Sequence, residues 1–397
     1  MNMYASWSGD NTSHFTNKPG DIHVWAHPTE AQVSIFPHYN YWNDIVSVSS
    51  IDTNNNIVYL NGYTDYYTIR PGDRYYVQNV FEELDAPGEW YLDSTNKYLY
   101  FYPPTNISTA TPVYAPVVTN IVTFATSVSN IIFQRFTLEC CAGTAITLTN
   151  TTNCLIAANT IFNVGDYYGS GVTVSGGFTN GVVGNDISYV GRHGIEMSGG
   201  NYLTLTPALN YADNNYIHDI GVVYKQGSGI WFTEQDNVGL RASRNLIKNG
   251  PRFGIFMQGE NLVVVSNIVH NVMLETDDGG MIYVAGLNWL SARGSSICYN
   301  YLHDAAGFGF FSGLYETPCM SYGIYLDSLS CGVDVIGNVV ARCSGAGLYV
   351  DGGSDNRATN NIFVDCDHAS SAPLFSQQIY YLVSGIDYTI GQKEGND

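Results

Sequence analysis

NYIHD, from Asn215 to Asp219, returns thirty residues later as NLIKN at 245–249, and that return decides how the chain folds. The same phrase stands at NTIFN (159–163), NDISY (185–189), NIVHN (267–271), NYLHD (300–304), NVVAR (338–342) and NIFVD (361–365). Each copy opens on Asn, passes two mostly apolar residues and runs through a loop to Gly and a second β-prone run. Successive anchors are 26, 30, 30, 22, 33, 38 and 23 residues apart. A helical repeat of fixed length does not tolerate that spread. A parallel β-helix does, because short strands stay in register while the loops between them vary. Stacked at one corner, the amides can hydrogen-bond up and down the ladder, and Asn itself tolerates a left-handed turn.

The second run aligns as well: Ile195-Glu-Met, Ile230-Trp-Phe, Ile255-Phe-Met, Ile282-Tyr-Val, Ile324-Tyr-Leu and Leu348-Tyr-Val. With period-two alternation the first and third residues point inward and the middle one outward. The outward column is then Glu196, Trp231, Phe256, Tyr283, Tyr325 and Tyr349. Five rings about 4.8 Å apart suit a platform for the apolar faces of sugar rings. The bland alternative is that stacked aromatics brace the solenoid beneath covering loops.

The first part of the chain reads differently. EWYLDSTNKYLYFYPP predicts a hairpin with strands at Trp90–Leu92 and Tyr98–Tyr102, and IDTNNNIVYL and DRYYVQNVF predict further strands. The division expected is a β-rich subdomain or elaborated early coils over 1–115, then a solenoid over 116–397 carrying the active-site groove. The fold class is all-β, a right-handed parallel β-helix.

Composition agrees and narrows the function. Charged residues make up 13% of the chain, against about 25% in an average soluble domain, while Gly (41) and Tyr (31) abound. The net charge of -20 repels nucleic acid and anionic membrane, so neither is an expected partner, and no apolar run is long enough to span a bilayer. The opening MNMYASWSGDNTSHF lacks the basic and apolar regions of a signal peptide, so a mature or truncated form of an extracellular or periplasmic protein is expected. The eight cysteines lack CxxC spacing, which argues against zinc. Cys343 and Cys366 each stand five residues after an anchor Asn. They share a column on neighbouring coils as either a disulfide or stacked thiols.

Acids on the strand-bearing face are few. In TDDGGMIYVAGLNW (276–289), Asp278 stands at the mouth of its strand, and Asp327 ends the strand of the next coil. Adjacent coils can bring such groups within the separation that glycoside hydrolysis asks of its two carboxyl groups. Gly279 and Gly280 would let the chain turn tightly and leave the space beside Asp278 clear of side chains. Asp277 could instead cap the turn.

PGDRYYVQNVFEELDAPGEWYLDSTNKYLYFYPP, DDGGMIYVAGLNWLSARGSSICYNYLHDAAG and GIYLDSLSCGVDVIGN together resemble secreted right-handed parallel β-helix glycoside hydrolases. The nearest groups are glycoside hydrolase family 141 and, more distantly, the family 120 β-xylosidases, over roughly residues 70–365. The resemblance implies that Asp278 and Asp327 are the acid and the nucleophile or base, in an order the sequence leaves open. Similar sequences often carry a second acid where this chain has Ser328. Substrate contacts are expected from the outward column, from Trp289, and from Arg252 and Arg293, the scarce cations near this face. Asp277, His303 and Asp304 are expected to support the pair. His303-Asp304 shares its column with His218-Asp219 and so reads first as a recurrent corner hydrogen bond. The partner is a plant- or algal-type carbohydrate, the oligomeric state stays open, and no cofactor is required, with room for a structural Ca2+. Two rivals remain: a polysaccharide lyase on the same solenoid, and a non-catalytic carbohydrate-binding solenoid.

Overall fold

Strand triplets such as Ile195–Met197, Ile230–Phe232 and Ile255–Met257 bury their first and third side chains completely. Each needs a neighbour on both sides to satisfy its backbone, and a coil that returns every few tens of residues supplies one. The computed structural model describes residues 3–4, 13–62, 64, 68–108, 111–233, 237–286, 290–311, 313–366 and 379–382. Among these, three parallel sheets run the length of the solenoid. Sheet A has ten strands from Val122–Phe124 to Ile379–Leu382, sheet B nine from Ile132–Gln134 to Arg357–Thr359, and sheet C nine from Thr137–Cys141 to Ile362–Val364. Inward side chains of all three form one apolar core.

The anchor asparagines sit between sheets B and C and form a continuous ladder. Each Nδ2 donates to Oδ1 of the next, from Asn159 through Asn185, Asn215, Asn245, Asn267, Asn300 and Asn338 to Asn361, at 2.9–3.0 Å. The same Oδ1 accepts the backbone N–H of the preceding anchor, and each Nδ2 also reaches a carbonyl one coil back, as Asn245 does at Ala212. The left-handed residue is not the anchor, as expected from sequence, but the one before it: Ala158, Gly184, Asn214, Arg244, Ser266, Tyr299, Gly337 and Asn360 all have φ between 53° and 68°. The turn is made first, and the Asn then enters the core already aimed along the axis.

By contact clustering the chain divides into two compact units, Met1–Tyr114 with Ser312–Leu314, and Ala115–Phe311 with Tyr315–Asp397. The first holds a six-stranded antiparallel sheet in the order Met3–Tyr4, Arg74–Gln78, Gln32–Ile35, Asp44–Asp52, Ile57–Leu60, His14–Thr16. Its own core is built on Phe15, Val33, Ile35, Val58, Ile69 and Tyr75. Trp90–Asp93 and Tyr98–Phe101 form the hairpin read from sequence. No helix among the described residues is long and apolar enough to cross a membrane.

All eight cysteines are free. Cys343 and Cys366 are buried and hydrogen-bonded to each other as thiols, the second of the two arrangements left open above. Two outcomes follow. A thiol assay on the denatured, unreduced protein should count eight reactive groups, and six would mean a bridge. Asn245→Ala strands the buried N–H of Asn215 and the carbonyl of Ala212, so urea denaturation should show a loss of about 2–4 kcal/mol.

Candidate active site

Sheet A carries the candidate site on its outer face. Strand register aligns Glu196, Trp231, Phe256, Tyr283, Tyr325 and Tyr349 in one row, as the alternation predicts. Their exposure does not match the expected platform. Trp231, Phe256, Tyr325 and Tyr349 are each 3–4% exposed, and Tyr283 is half-buried. The rings lie against one another: Trp231 stacks on Phe256 at 3.7 Å and 7° and Phe256 on Tyr283 at 5.6 Å and 17°, Tyr283 meets Tyr325 edge-on at 5.1 Å, and Tyr325 lies tilted against Tyr349 at 4.5 Å. A second set from the preceding corner folds over them. His193 stacks on Trp231 at 4.6 Å, Phe253 meets Tyr283 at 4.4 Å, and Tyr322 meets Tyr325 at 5.0 Å and Tyr349 at 4.5 Å. The row is therefore a covered aromatic spine. The covering residues recur as HGI, FGI and YGI at 193, 253 and 322, a pattern the sequence reading passed over.

Asp278 and Asp327 belong to adjacent coils but to opposite ends of their strands. Asp278 precedes Gly279–Ala285, whereas Asp327 ends Ser321–Asp327, opposite Ala285. They are not neighbours in one row, because strand register and not coil spacing separates them. Tyr283 and Tyr325 relate them. The Tyr283 phenol donates to Asp327 Oδ2. Burial, then the Asp327 charge and hydrogen bond, then Asp278, push Tyr283 well above its ordinary 10, with Arg252 pulling the other way. Tyr325 is raised likewise by burial, then by Asp278 and Asp327. Both carboxylates thus bear on the same two phenols. Asp278 has φ 46°, a left-handed turn that bends the chain back at this corner.

Asp327 accepts hydrogen bonds on both of its oxygens. Beside Tyr283 on Oδ2, its Oδ1 takes Ser328 N at 2.8 Å and Ser328 Oγ at 3.2 Å. Ser328 thus supplies two donors where similar sequences often carry a second acid.

The two glycines do not leave open space beside Asp278. A Cβ on Gly279 would stand 2.7 Å from Met273 Cε and 2.9 Å from the Phe253 ring, and one on Gly280 would stand 3.2 Å from Tyr325 Cβ. Their missing side chains are what lets the spine and its cover close around the corner. Asp277 is buried, with Oδ2 against Gly309 beside Cys319. Burial first, then Asp277, Glu316 and Asp278, push the Cys319 thiol up to about 12.

The remaining sequence candidates disperse. Arg252 is buried and donates through Nη1 to the Asp277 carbonyl at 2.9 Å and through Nη2 to the Asp278 carbonyl at 3.1 Å, with its guanidinium over Phe253. Those bonds clamp the acid-bearing turn, which corrects the expectation that Arg252 reaches substrate. Glu196 heads the row, and its Oε2 accepts from Ser170 Oγ at 3.2 Å and Thr173 Oγ1 at 3.4 Å. Arg293 pairs with Asp355 at 2.8 Å. Trp289 lies outside the described residues. His303 and Asp304 lie on sheet C, not sheet A: His303 Nδ1 meets Asp304 Oδ2 at 2.5 Å and Arg342 grips Asp304 through Nε and Nη2. His218 with Asp219 repeats the arrangement at 2.6 Å, so this is the corner pair and does not support the acids. Among the described residues no group of three or more His, Cys, Asp or Glu is placed to hold a metal.

Comparison with known proteins agrees with this architecture. Residues 170–363, just under half of the chain, match the family model described as right handed beta helix region. A solved glycoside hydrolase superposes with a TM-score of 0.59 at 13% identity, over 100% of this chain and 76% of that one. The A-module of the Azotobacter vinelandii mannuronan C-5 epimerase gives 0.46 at 12% identity, over 65% of each chain. XylC in complex with xylose gives 0.33 at 11% identity, over 91% of this chain and 63% of that one. No curated protein matches the sequence. At these identities the likeness extends to the fold: the chain is a right-handed parallel β-helix.

The raised phenols make a pH prediction. A folded-state value above the unfolded 10 gives stability that is present below pH 10 and lost as pH rises beyond it. Thermal unfolding should therefore fall off above about pH 10, and Tyr283→Phe with Tyr325→Phe should flatten that fall. An unchanged slope would contradict the assignment.

Proposed function

We propose that this protein is a glycoside hydrolase acting on a plant- or algal-type polysaccharide or oligosaccharide, with Asp278 and Asp327 as its carboxyl pair. The observation that carries the reading is that the Tyr283 phenol donates to Asp327 while the charges of both Asp278 and Asp327, from either end of the strand, raise Tyr283 and Tyr325. A carbohydrate-acting β-helix of this shape is compatible with the glycoside hydrolase that shares its fold.

Hydrogen bonding supports a division of roles. Asp327 accepts from three donors, on both of its oxygens, which is the arrangement of a group that acts as carboxylate. It is cast as the nucleophile, or as the base that activates water. Asp278, at the mouth of its strand and half-buried, is cast as the acid that protonates the departing glycosidic oxygen. Arg252 holds the Asp278 turn through its main-chain carbonyls.

Two observations weigh against the lyase alternative. Elimination needs a base beside the sugar and a cation to neutralise a uronate. Tyr283 is held protonated by burial and two negative charges, so it is a donor and no base, while both Nη atoms of Arg252 are spent on main-chain carbonyls. The binding-only alternative cannot use the ring column of sheet A, four of whose five rings are buried.

Aryl glycosides and polysaccharides screened with product chromatography should give reducing-end release without an unsaturated, ultraviolet-absorbing product. Asp278→Asn and Asp327→Asn should each cut kcat by at least 100-fold while unfolding close to wild type. Full activity in either variant would remove that residue from the pair, and an absorbing product would return the protein to the lyases.

A further inference from the structure

The spine is covered, so a polymer needs exposed rings elsewhere along its path, and the corner that carries Asp278 has them. Tyr168 stands on the loop that leads into the sheet A strand Val172–Ser175, and Asp278 on the one that leads into Gly279–Ala285, four coils later and about 19 Å along the axis at the usual strand spacing.

Tyr168 is presented, not merely exposed. Its side chain is 71% exposed, yet its loop is pinched shut: a Cβ on Gly169 would stand 2.3 Å from the Gly165 Cα. Tyr168 N also donates to Asp166 Oδ1 at 3.0 Å within that loop. A ring held on a rigid, solvent-facing loop gives up little entropy on binding. Tyr167 supports it edge-on at 4.9 Å and packs against Tyr224 at 4.4 Å, two coils nearer to Asp278. The guanidinium of Arg192 lies over Tyr224 at 5.4 Å. From the Tyr224 loop, Lys225 makes a 2.8 Å ion pair with Glu275, three residues before Asp278. These contacts run from the exposed ring to Glu275, three residues before Asp278.

We infer that Tyr168, with Tyr167 and Tyr224 behind it, forms a distal subsite that stacks a sugar of a long glycan, so that the substrate is a polymer lying along the solenoid axis and cut within its length. This rests on the hydrolase reading for the cut but not for the binding. A polymer reaching four coils from Asp278 touches the ring, whereas an aryl glycoside occupying only the reacting position does not.

The test uses the full chain and Tyr168→Ala, a surface change. Affinity electrophoresis through gels of soluble xylan, galactan, alginate and pectin measures polymer binding, while KM and kcat/KM are followed on the polymer cleaved and on an aryl glycoside. The expected result is retardation by at least one polymer, weakened at least fivefold in Tyr168→Ala. Polymer KM should rise in parallel, with aryl glycoside kcat/KM within twofold of wild type. Equal retardation and equal polymer KM in the variant, or no retardation of the wild type, would overturn the subsite. Binding that depends on Tyr168 in a protein that cleaves nothing would keep the subsite and sink the hydrolase.

Discussion

A buried amide with every lone pair and proton engaged is the constraint on which the solenoid rests. Along the ladder an asparagine such as Asn245 donates to the next coil, receives from the one before, and closes a carbonyl of a sheet B strand. A buried amide costs several kcal/mol if left unpaired, so each coil is acceptable only where its neighbours present the partner groups. That converts a local turn into a long-range register. Loop length is then nearly irrelevant, and inserts such as 306–320 can be large without shifting a strand.

Register has a consequence on the opposite face. Once the coils are aligned, every position along sheet A becomes a row, and neighbouring side chains about 4.8 Å apart must suit each other. Rings do so by stacking, and apolar area is withdrawn from water on both sides when His193, Phe253 and Tyr322 fold over them. A covered spine is a poor sugar platform and a good electrostatic setting. Carboxylates beside buried phenols act in a medium less able to screen them than water. In a chain of net charge -20, buried Arg252 is the cation that offsets them where Asp278 turns.

Much of this could be read from residues. The recurring Asn phrase predicted the ladder, its sheets and the inward-outward alternation, since a stacked repeat must use one position for one purpose. Asp278 and Asp327 could be placed at opposite ends of adjacent sheet A strands, because the alternation marks where each strand begins and ends. The role of the glycines after Asp278 could not be read, because a missing Cβ looks alike whether it clears a groove or admits a Phe253 ring. Arg252 was visible as a scarce cation, but its bonds go to main-chain oxygens, which leave no trace in sequence.

By itself, then, the sequence determined periodicity: which residues share a column, which side faces the core, and which acids accompany the sheet A face. These depend on spacing along the chain, and coil stacking preserves spacing. Only the tertiary structure decided accessibility and partnership. Whether an outward ring meets solvent depends on a side chain reaching over from the preceding corner. Whether two acids share phenols depends on where each strand begins and ends. Both are properties of several coils taken together, and no single stretch of chain contains them.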